Sequence, residues 1–356
     1  MANCPLKTSA PASAWKAAAL LVASLLFTSC RAVHFYTQAA RGQMEIMRRA
    51  RPIPEVMNEC FGESQKVKDR LALVQELRKF ASSQLQLPAE SQYDHYTDLH
   101  RKFVVWVVHA APEFSVEAKT WWYPILGKLK YRGYFSEADA QQEGRRLRAL
   151  GMDVDVSGTE AYSTLGWLRD PVLNTFLNRS DADLAELIFH ELTHQRLYLK
   201  GDTDFNEALA TAVGEAGARL WLKSKGRLAD LENYNRRHRL QRDITAAILR
   251  TRNDLDSLYT QHHDAPPDTV RALKAAVLNR LREEARRLRT GAGVQRPPRV
   301  PLLNNARLNS VAAYYALLPG FERMIRTDHG DIPAFLRRVE AMKPLTKQQR
   351  RALLEP

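Results

Sequence analysis

Two histidines four residues apart with a glutamate between them, His190-Glu191-Leu192-Thr193-His194, are the residues of this 356-residue chain best suited to chemistry. On an α-helix, positions i and i+4 lie on one face, so both imidazoles can reach a single metal ion. Glu191 would stand beside the attacking water rather than on the metal. A carboxylate there can take the water's proton during attack and return it to a leaving amine. A catalytic zinc ordinarily has three protein ligands and an open position. Downstream, Asp204-Phe205-Asn206-Glu207-Ala208-Leu209-Ala210 opens another expected helix, and antiparallel packing would bring Glu207 against the two histidines. Read structurally, Glu207 would instead be a capping carboxylate at a helix start. Glu215 is the rival ligand. Eight helical residues separate it from Glu207 by about 12 Å, so the two cannot bind the same ion together.

The motif needs a helix with a buried face, and Leu187-Ile188-Phe189 and Leu192 supply one. Ser180-Asp181 predicts its N-cap, and Gly201 predicts its stop just after Lys200. The next helix is expected from about Asp204 to Lys223. Upstream, Tyr36 to Leu85 carries apolar residues at helical spacing (Leu71, Leu73, Val74, Leu77, Phe80), broken into at least two helices by Pro52 and Pro54. Phe103 to Val108, part of Tyr123 to Phe135, and Met152 to Val156 predict three strands, with a charged helix from Ser136 to Leu150 inserted among them. Arg227 to Arg289 predicts a long helical hairpin turning at Asp264-Ala265-Pro266-Pro267. Its apolar stripes are Leu240, Ile244, Ile248, Leu255, Leu258 and Val270, Leu273, Val277, Leu281, Leu288. The expected class is therefore α+β, with a small N-terminal sheet, the motif helix and an added long hairpin. The expected divisions are a signal at 1–29, a helical segment at 30–101, a catalytic core at 102–226, the hairpin at 227–290 and a helical segment at 291–356.

Composition excludes several classes. With 45% hydrophobic and 26% charged residues, the chain is neither disordered nor collagen-like. Lys7 and Lys16 precede an apolar run of 11 residues, Ala17 to Phe27, and no acidic residue occurs before Glu45. That pattern predicts an export signal, since a bilayer-spanning helix needs about 20 residues. Leu26-Phe27-Thr28-Ser29-Cys30 resembles a bacterial lipobox, with Cys30 as the lipidated first residue of the mature chain. Arg31 follows, with no aspartate to argue for inner-membrane retention. The expectation is thus an outer-membrane lipoprotein facing the periplasm; the plainer alternative is a soluble periplasmic protein cut elsewhere. Of three cysteines, Cys4 is removed and Cys30 lipidated, which leaves Cys60 without a disulfide partner. Any metal must then sit on histidine and carboxylate.

The whole chain carries +13, and residues 225–300 hold 17 basic against 9 acidic side chains. A solvated, mixed-charge helical face explains that excess more simply than contact with anionic lipid or a polyanion. Aromatic interleaving is sparse there, so no nucleic-acid partner is expected.

HELTHQ (190–195) followed by FNEALA (205–210) resembles the glutamate-type zincin metallopeptidases, in which a second helix carrying Asn-Glu provides the third ligand. With YTQAARGQ (36–43), YRGYF (131–135), AYSTLGWLRDPVLNTF (161–176) and LNNARL (303–308), the chain more closely resembles a bacterial family of predicted aminopeptidases with a zincin motif, typically lipoproteins. These stretches span nearly the whole mature chain. The resemblance implies a zincin-like fold, Zn2+ on His190, His194 and Glu207, Glu191 as general base, and a peptide substrate cleaved at its amino end. Only 12 residues separate His194 from Glu207, fewer than in many such peptidases, which keeps Glu215 in play. Tyr162 is the candidate to polarise the substrate carbonyl, with Tyr314 and Tyr315 behind it. Asn304 and Asn305 could bind substrate backbone or simply form a turn. His109, His238, His262 and His263 read as surface or core histidines. The rival functions are an envelope endopeptidase and a non-catalytic envelope lipoprotein with a structural metal; oligomeric state has no signal in the sequence.

Overall fold

The computed structural model describes residues 33–58, 62–123, 127–164, 168–294 and 303–355. The expected export signal, Cys30 and Cys60 lie outside them. Helix α1 (33–49) leads into a two-residue strand β1 (Arg51–Pro52), the short α2 (Ile53–Val56) and the long α3 (Gln65–Leu85). Pro54 stands in the first turn of α2, where its missing N–H breaks no helical bond. Ser64 caps α3 by accepting from the Val67 N–H, and Leu71, Val74, Leu77, Ala81 and Leu85 form its buried face.

The strands β2 (His95–Thr97), β3 (Val105–Pro112), β4 (Trp121–Tyr123), β5 (Gly127–Leu129) and β6 (Arg132–Tyr134) come next, then α4 (Glu137–Ala149), β7 (Met152–Thr159) and β8 (Val172–Leu173). The larger sheet has the order β6-β3-β7, wholly antiparallel, with β3 and β7 paired from Val105↔Thr159 to Pro112↔Met152. Ala140 and Leu147 of α4 close its core with Val108, Ala110 and Val154. The strand expected from 103 begins instead at Val105, and Phe103 lays its ring over Gly158. The strand expected within 123–135 is divided between β5 and β6. A second small sheet, β1-β2-β8, contains a parallel pair and was not foreseen.

The helical half comprises α5 (Asn174–Leu177), α6 (Asp181–Arg196), α7 (Thr203–Ser224), α8 (Leu228–Gln261), α9 (Pro267–Gly291), α10 (Asn305–Tyr315), α11 (Leu318–Thr327), α12 (Ile332–Glu340) and α13 (Lys347–Leu354). The fold is thus mixed α+β, dominated by helix, with small sheets. One large apolar core joins α3, α6, α7 and the C-terminal helices: Leu77, Leu85, Ile188, Phe189, Leu209, Val213, Trp221, Phe321 and Phe335 are all sealed within it. Each such side chain contributes about 1.5–3 kcal/mol by leaving water, so the core fixes α6 and α7 as rigid supports.

Helices α8 and α9 form the hairpin, with Ile244, Leu255, Val270, Val277 and Leu281 buried along the expected stripes. Its charge is dispersed in ion pairs, among them Arg250–Glu284 at 2.7 Å, Arg271–Glu113 at 2.7 Å and Arg237–Asp183 at 2.7 Å. Among the described residues, no helix is long and apolar enough to cross a membrane.

Candidate metal centre

The site is built where α6 meets α7. Ser180 caps α6 by accepting from the Asp183 N–H. The helix ends at Arg196 rather than near Lys200, because Leu197 turns extended and inserts into the core. Asn206 then fixes the return: its Oδ1 accepts from the Leu199 N–H and its Nδ2 donates to the Leu199 carbonyl, both at 2.8 Å. Asp202 pairs with Arg350 at 2.8 Å and Asp204 with Lys130 at 2.7 Å, pinning the start of α7 from two sides.

As residue numbers rise along α7 they fall along α6, so the helices run antiparallel. Their closeness depends on glycine. A Cβ on Gly214 would lie 2.8 Å from the Glu186 carbonyl oxygen and 3.2 Å from His190 Cβ; one on Gly217 would lie 2.7 Å from the Phe189 ring. Gly214→Ala is expected to destabilise the protein by about 1–3 kcal/mol and to weaken metal binding by displacing His190. An unchanged melting midpoint and an unchanged metal affinity would contradict this account of the helix contact.

At this contact His190 Nε2 and His194 Nε2 stand 3.2 Å apart, and Glu207 Oε2 lies 3.5 Å from the first and 3.6 Å from the second. In a tetrahedral zinc site with bonds of about 2.0–2.1 Å, ligand atoms are separated by roughly 3.3–3.4 Å. The triangle fits. Two imidazole nitrogens and one carboxylate oxygen, all largely buried, form a group able to hold a metal ion. Burial alone would raise the Glu207 carboxyl, but the two histidines outweigh it and hold the group well below the usual carboxylate range. Burial likewise disfavours charge on His194, yet the Glu207 carboxylate keeps that imidazole above its ordinary value. Glu207 is no cap: it lies past the first turn of α7.

Glu191 is partly exposed beside this triangle, and its charge reaches His194, Tyr131 and Tyr314. Tyr314 stacks its ring on His190, with centroids 6.3 Å apart, and its hydroxyl is held well above the ordinary value by Glu207 first and burial second. Tyr131 is raised by burial, then by Glu207. Tyr198, edge-on to His194 at 6.4 Å, is pushed up to about 12 by the same two causes. All three remain protonated donors at neutral pH. The Tyr162 ring meets Phe135 at 5.3 Å, and after burial it is Asp170 that raises its hydroxyl. Tyr315 faces Glu215, Glu186 and Arg242.

A cavity of about 10 Å³ behind Glu207, lined by His109, Tyr131, Thr203, Asn309 and Tyr314, has room for roughly one water. His109 is pushed down to about 4, mainly by burial, and stays neutral. Asn304 caps α10 by accepting from the Arg307 N–H and donates to the Val154 carbonyl; Asn305 donates to the Glu113 carbonyl and accepts from Tyr259. Both asparagines tie α10 to the sheet. His263 pairs with Asp264 in the hairpin turn.

Glu215, the rival ligand, lies in a different cluster. Its carboxylate meets Arg219 at 2.6 Å, Arg242 at 2.8 Å and His238 Nδ1 at 3.2 Å, with 2% of the side chain exposed. Burial works against its charge, but His238 and then Arg219 hold it down to about 2. His238 is wedged between Glu215 and Glu186, and these carboxylates overcome burial to push it up to about 9. Asp183, Glu186 and His238 form the second group with metal-ligand spacing among the described residues, though Arg237 and Tyr234 already occupy its carboxylates. Glu215→Ala should destabilise the fold by about 3–5 kcal/mol, because three cationic side chains lose a buried partner. The His238 pair should be fully formed below its unfolded value near 6.5 and be lost as pH rises through about 9. A melting midpoint insensitive to Glu215→Ala, or to pH over 6.5–9, would contradict that role.

Sequence reasoning missed Tyr131 as a neighbour of Glu207 and Tyr198 as a neighbour of His194. The four-residue spacing from His194 to Tyr198 is no helical signal, since α6 ends at Arg196 and Leu197 is extended.

Residues 34–354 match the family model described as "Putative aminopeptidase". No curated protein and no solved structure matches the chain.

Proposed function

The chain belongs to this aminopeptidase family, and we infer from it that the protein is a zinc-dependent aminopeptidase of zincin-like fold. The observation that carries the reading is the Nε2–Nε2–Oε2 triangle of His190, His194 and Glu207 with Glu191 one residue away. A zinc ion held by these atoms would polarise the substrate carbonyl and make hydroxide available near neutral pH. Glu191 takes the proton of the attacking water and delivers it to the leaving amine. Tyr314 and Tyr131 donate hydrogen bonds to the oxyanion that develops; we give them this role in preference to Tyr162, which faces Phe135 and Asp170. A purely structural metal would have no use for Glu191.

Incubating the zinc-loaded protein with a mixed peptide library, with and without a chelator, tests this. Mass spectrometry should show products shortened singly from free amino ends, N-acetylated peptides intact, and loss of cleavage on chelation with recovery on adding zinc. Internal cleavage would favour the endopeptidase reading; a folded, zinc-loaded protein that cleaves nothing would make it a non-catalytic lipoprotein.

We further propose that the mature chain is anchored through acylated Cys30 to the outer membrane and faces the periplasm, as the basic leader, short apolar run and lipobox-like residues support. Each buried lipid CH₂ contributes about 0.8 kcal/mol, so several acyl chains hold firmly. Intact mass should show a lipidated mature protein, and Cys30→Ala should release it from the membrane fraction. An unmodified mature N-terminus would contradict the anchor.

A further inference from the structure

Helix α1 has two apolar faces, and only one is used. Phe35 and Ile46 turn inward, Gly42 lies under the Phe135 ring, and Gln38 accepts from the Phe135 N–H at 2.9 Å. On the opposite side Val33, Tyr36, Met44 and Met47 are 61%, 48%, 58% and 52% exposed, with Ala40 between them. At 100° per residue these five positions fall within about 80° of one another and run for about 21 Å along the helix. Scattered exposed apolar residues are ordinary. Here, however, four of the twelve large ones among the described residues share a single stripe. Arg41 and Arg48 are exposed along one flank, with no ion-pair partner among the described residues, whereas the acid of this helix, Glu45, is paired with Arg49 and Arg101.

We propose that this stripe is a docking surface for a bilayer carrying anionic headgroups, with the apolar side chains entering the interface and Arg41 and Arg48 meeting the lipid charge. A second copy of the chain is a poor occupant. The exposed side chains of the stripe amount to roughly 400–450 Å², about half of the ~800 Å² per partner in a stable interface. A bilayer is close by geometry. Three peptide units separate Cys30 from Val33, so an acyl chain on Cys30 would hold the first turn of α1 within about 11 Å of its attachment point. This argument for proximity rests on the lipid-anchor reading, and the test is chosen to be independent of it.

The chain beginning at residue 31 lacks Cys30 and retains every described element. It is mixed with vesicles of phosphatidylcholine alone or with phosphatidylglycerol, and floated on a density gradient. The protein should float with the anionic vesicles, and Tyr36→Glu/Met44→Glu/Met47→Glu should lower the bound fraction at least ~10-fold with an unchanged helical spectrum. Should the triple variant misfold, Met44→Ser and Met47→Ser singly replace it, each expected to weaken binding by about 3-fold. Absence of flotation, or flotation indifferent to these changes, overturns the proposal. Equal binding to phosphatidylcholine alone overturns the headgroup assignment. A dimer that the triple substitution dissociates would give the stripe to a second copy instead. Because the protein tested carries no Cys30, failure of the anchor itself shows only in the intact mass of the exported protein.

Discussion

Glu207→Ala is expected to weaken zinc binding more than ~100-fold, an effect comparable to losing either histidine, because loss of a direct ligand should exceed the 10–100-fold cost typical of outer-shell losses. The expectation follows from position. Glu207 Oε2 is within 3.6 Å of both imidazole nitrogens, and the Asn206 clamp on Leu199 leaves α7 no freedom to offer another carboxylate there. Competition against a chromophoric chelator measures the loss directly. Glu215→Ala is the matched control: it should lower stability but retain the metal in the folded protein. Retention of tight binding by Glu207→Ala, with loss in Glu215→Ala, would reverse the assignment.

Glu191→Gln should lower turnover by about 10²–10⁴-fold, the range of general acid–base catalysis, while metal content stays unchanged. The amide keeps the size of the carboxylate and one acceptor oxygen but cannot take up the proton. Tyr314 and Tyr131 would still donate to the carbonyl, so substrate binding should change little and the loss should fall on kcat. A Glu191→Gln enzyme as active as the wild type would exclude Glu191 as the base.

Long periodic segments were legible from the sequence because many residues repeat one message. The hairpin stripes through Ile244, Leu255, Val277 and Leu281, and its turn at Asp264 to Pro267, stand where the spacing predicts. The motif helix was equally legible, from its Ser180 cap onward. Its end was not, because Leu197 is drawn into the core by tertiary contacts that no local signal encodes. Strands β1, β2 and β8 are two or three residues long, too short to show alternation.

Within the site, the coming together of the two histidines could be read from spacing alone. The choice between Glu207 and Glu215 could not, since both lie on α7 and helix register permits either to approach a histidine. What separates them spatially is His238 together with Arg219 and Arg242, which gather around Glu215. His238 comes from a different helix, and nothing in its neighbourhood marks it as the partner of a carboxylate 23 residues earlier. Tyr314 reaches His190 only through the packing of α10 on α7, and Tyr131 meets Glu207 from the turn before β6, so their spacing in the chain carries no sign of it.

The most direct measurement is anomalous diffraction at the zinc edge from crystals of the metal-loaded protein. One strong peak is predicted between His190 Nε2, His194 Nε2 and Glu207 Oε2, at about 2.0–2.2 Å from each. A peak among Asp183, Glu186 and His238, or none at the His190–His194 pair, would contradict the account.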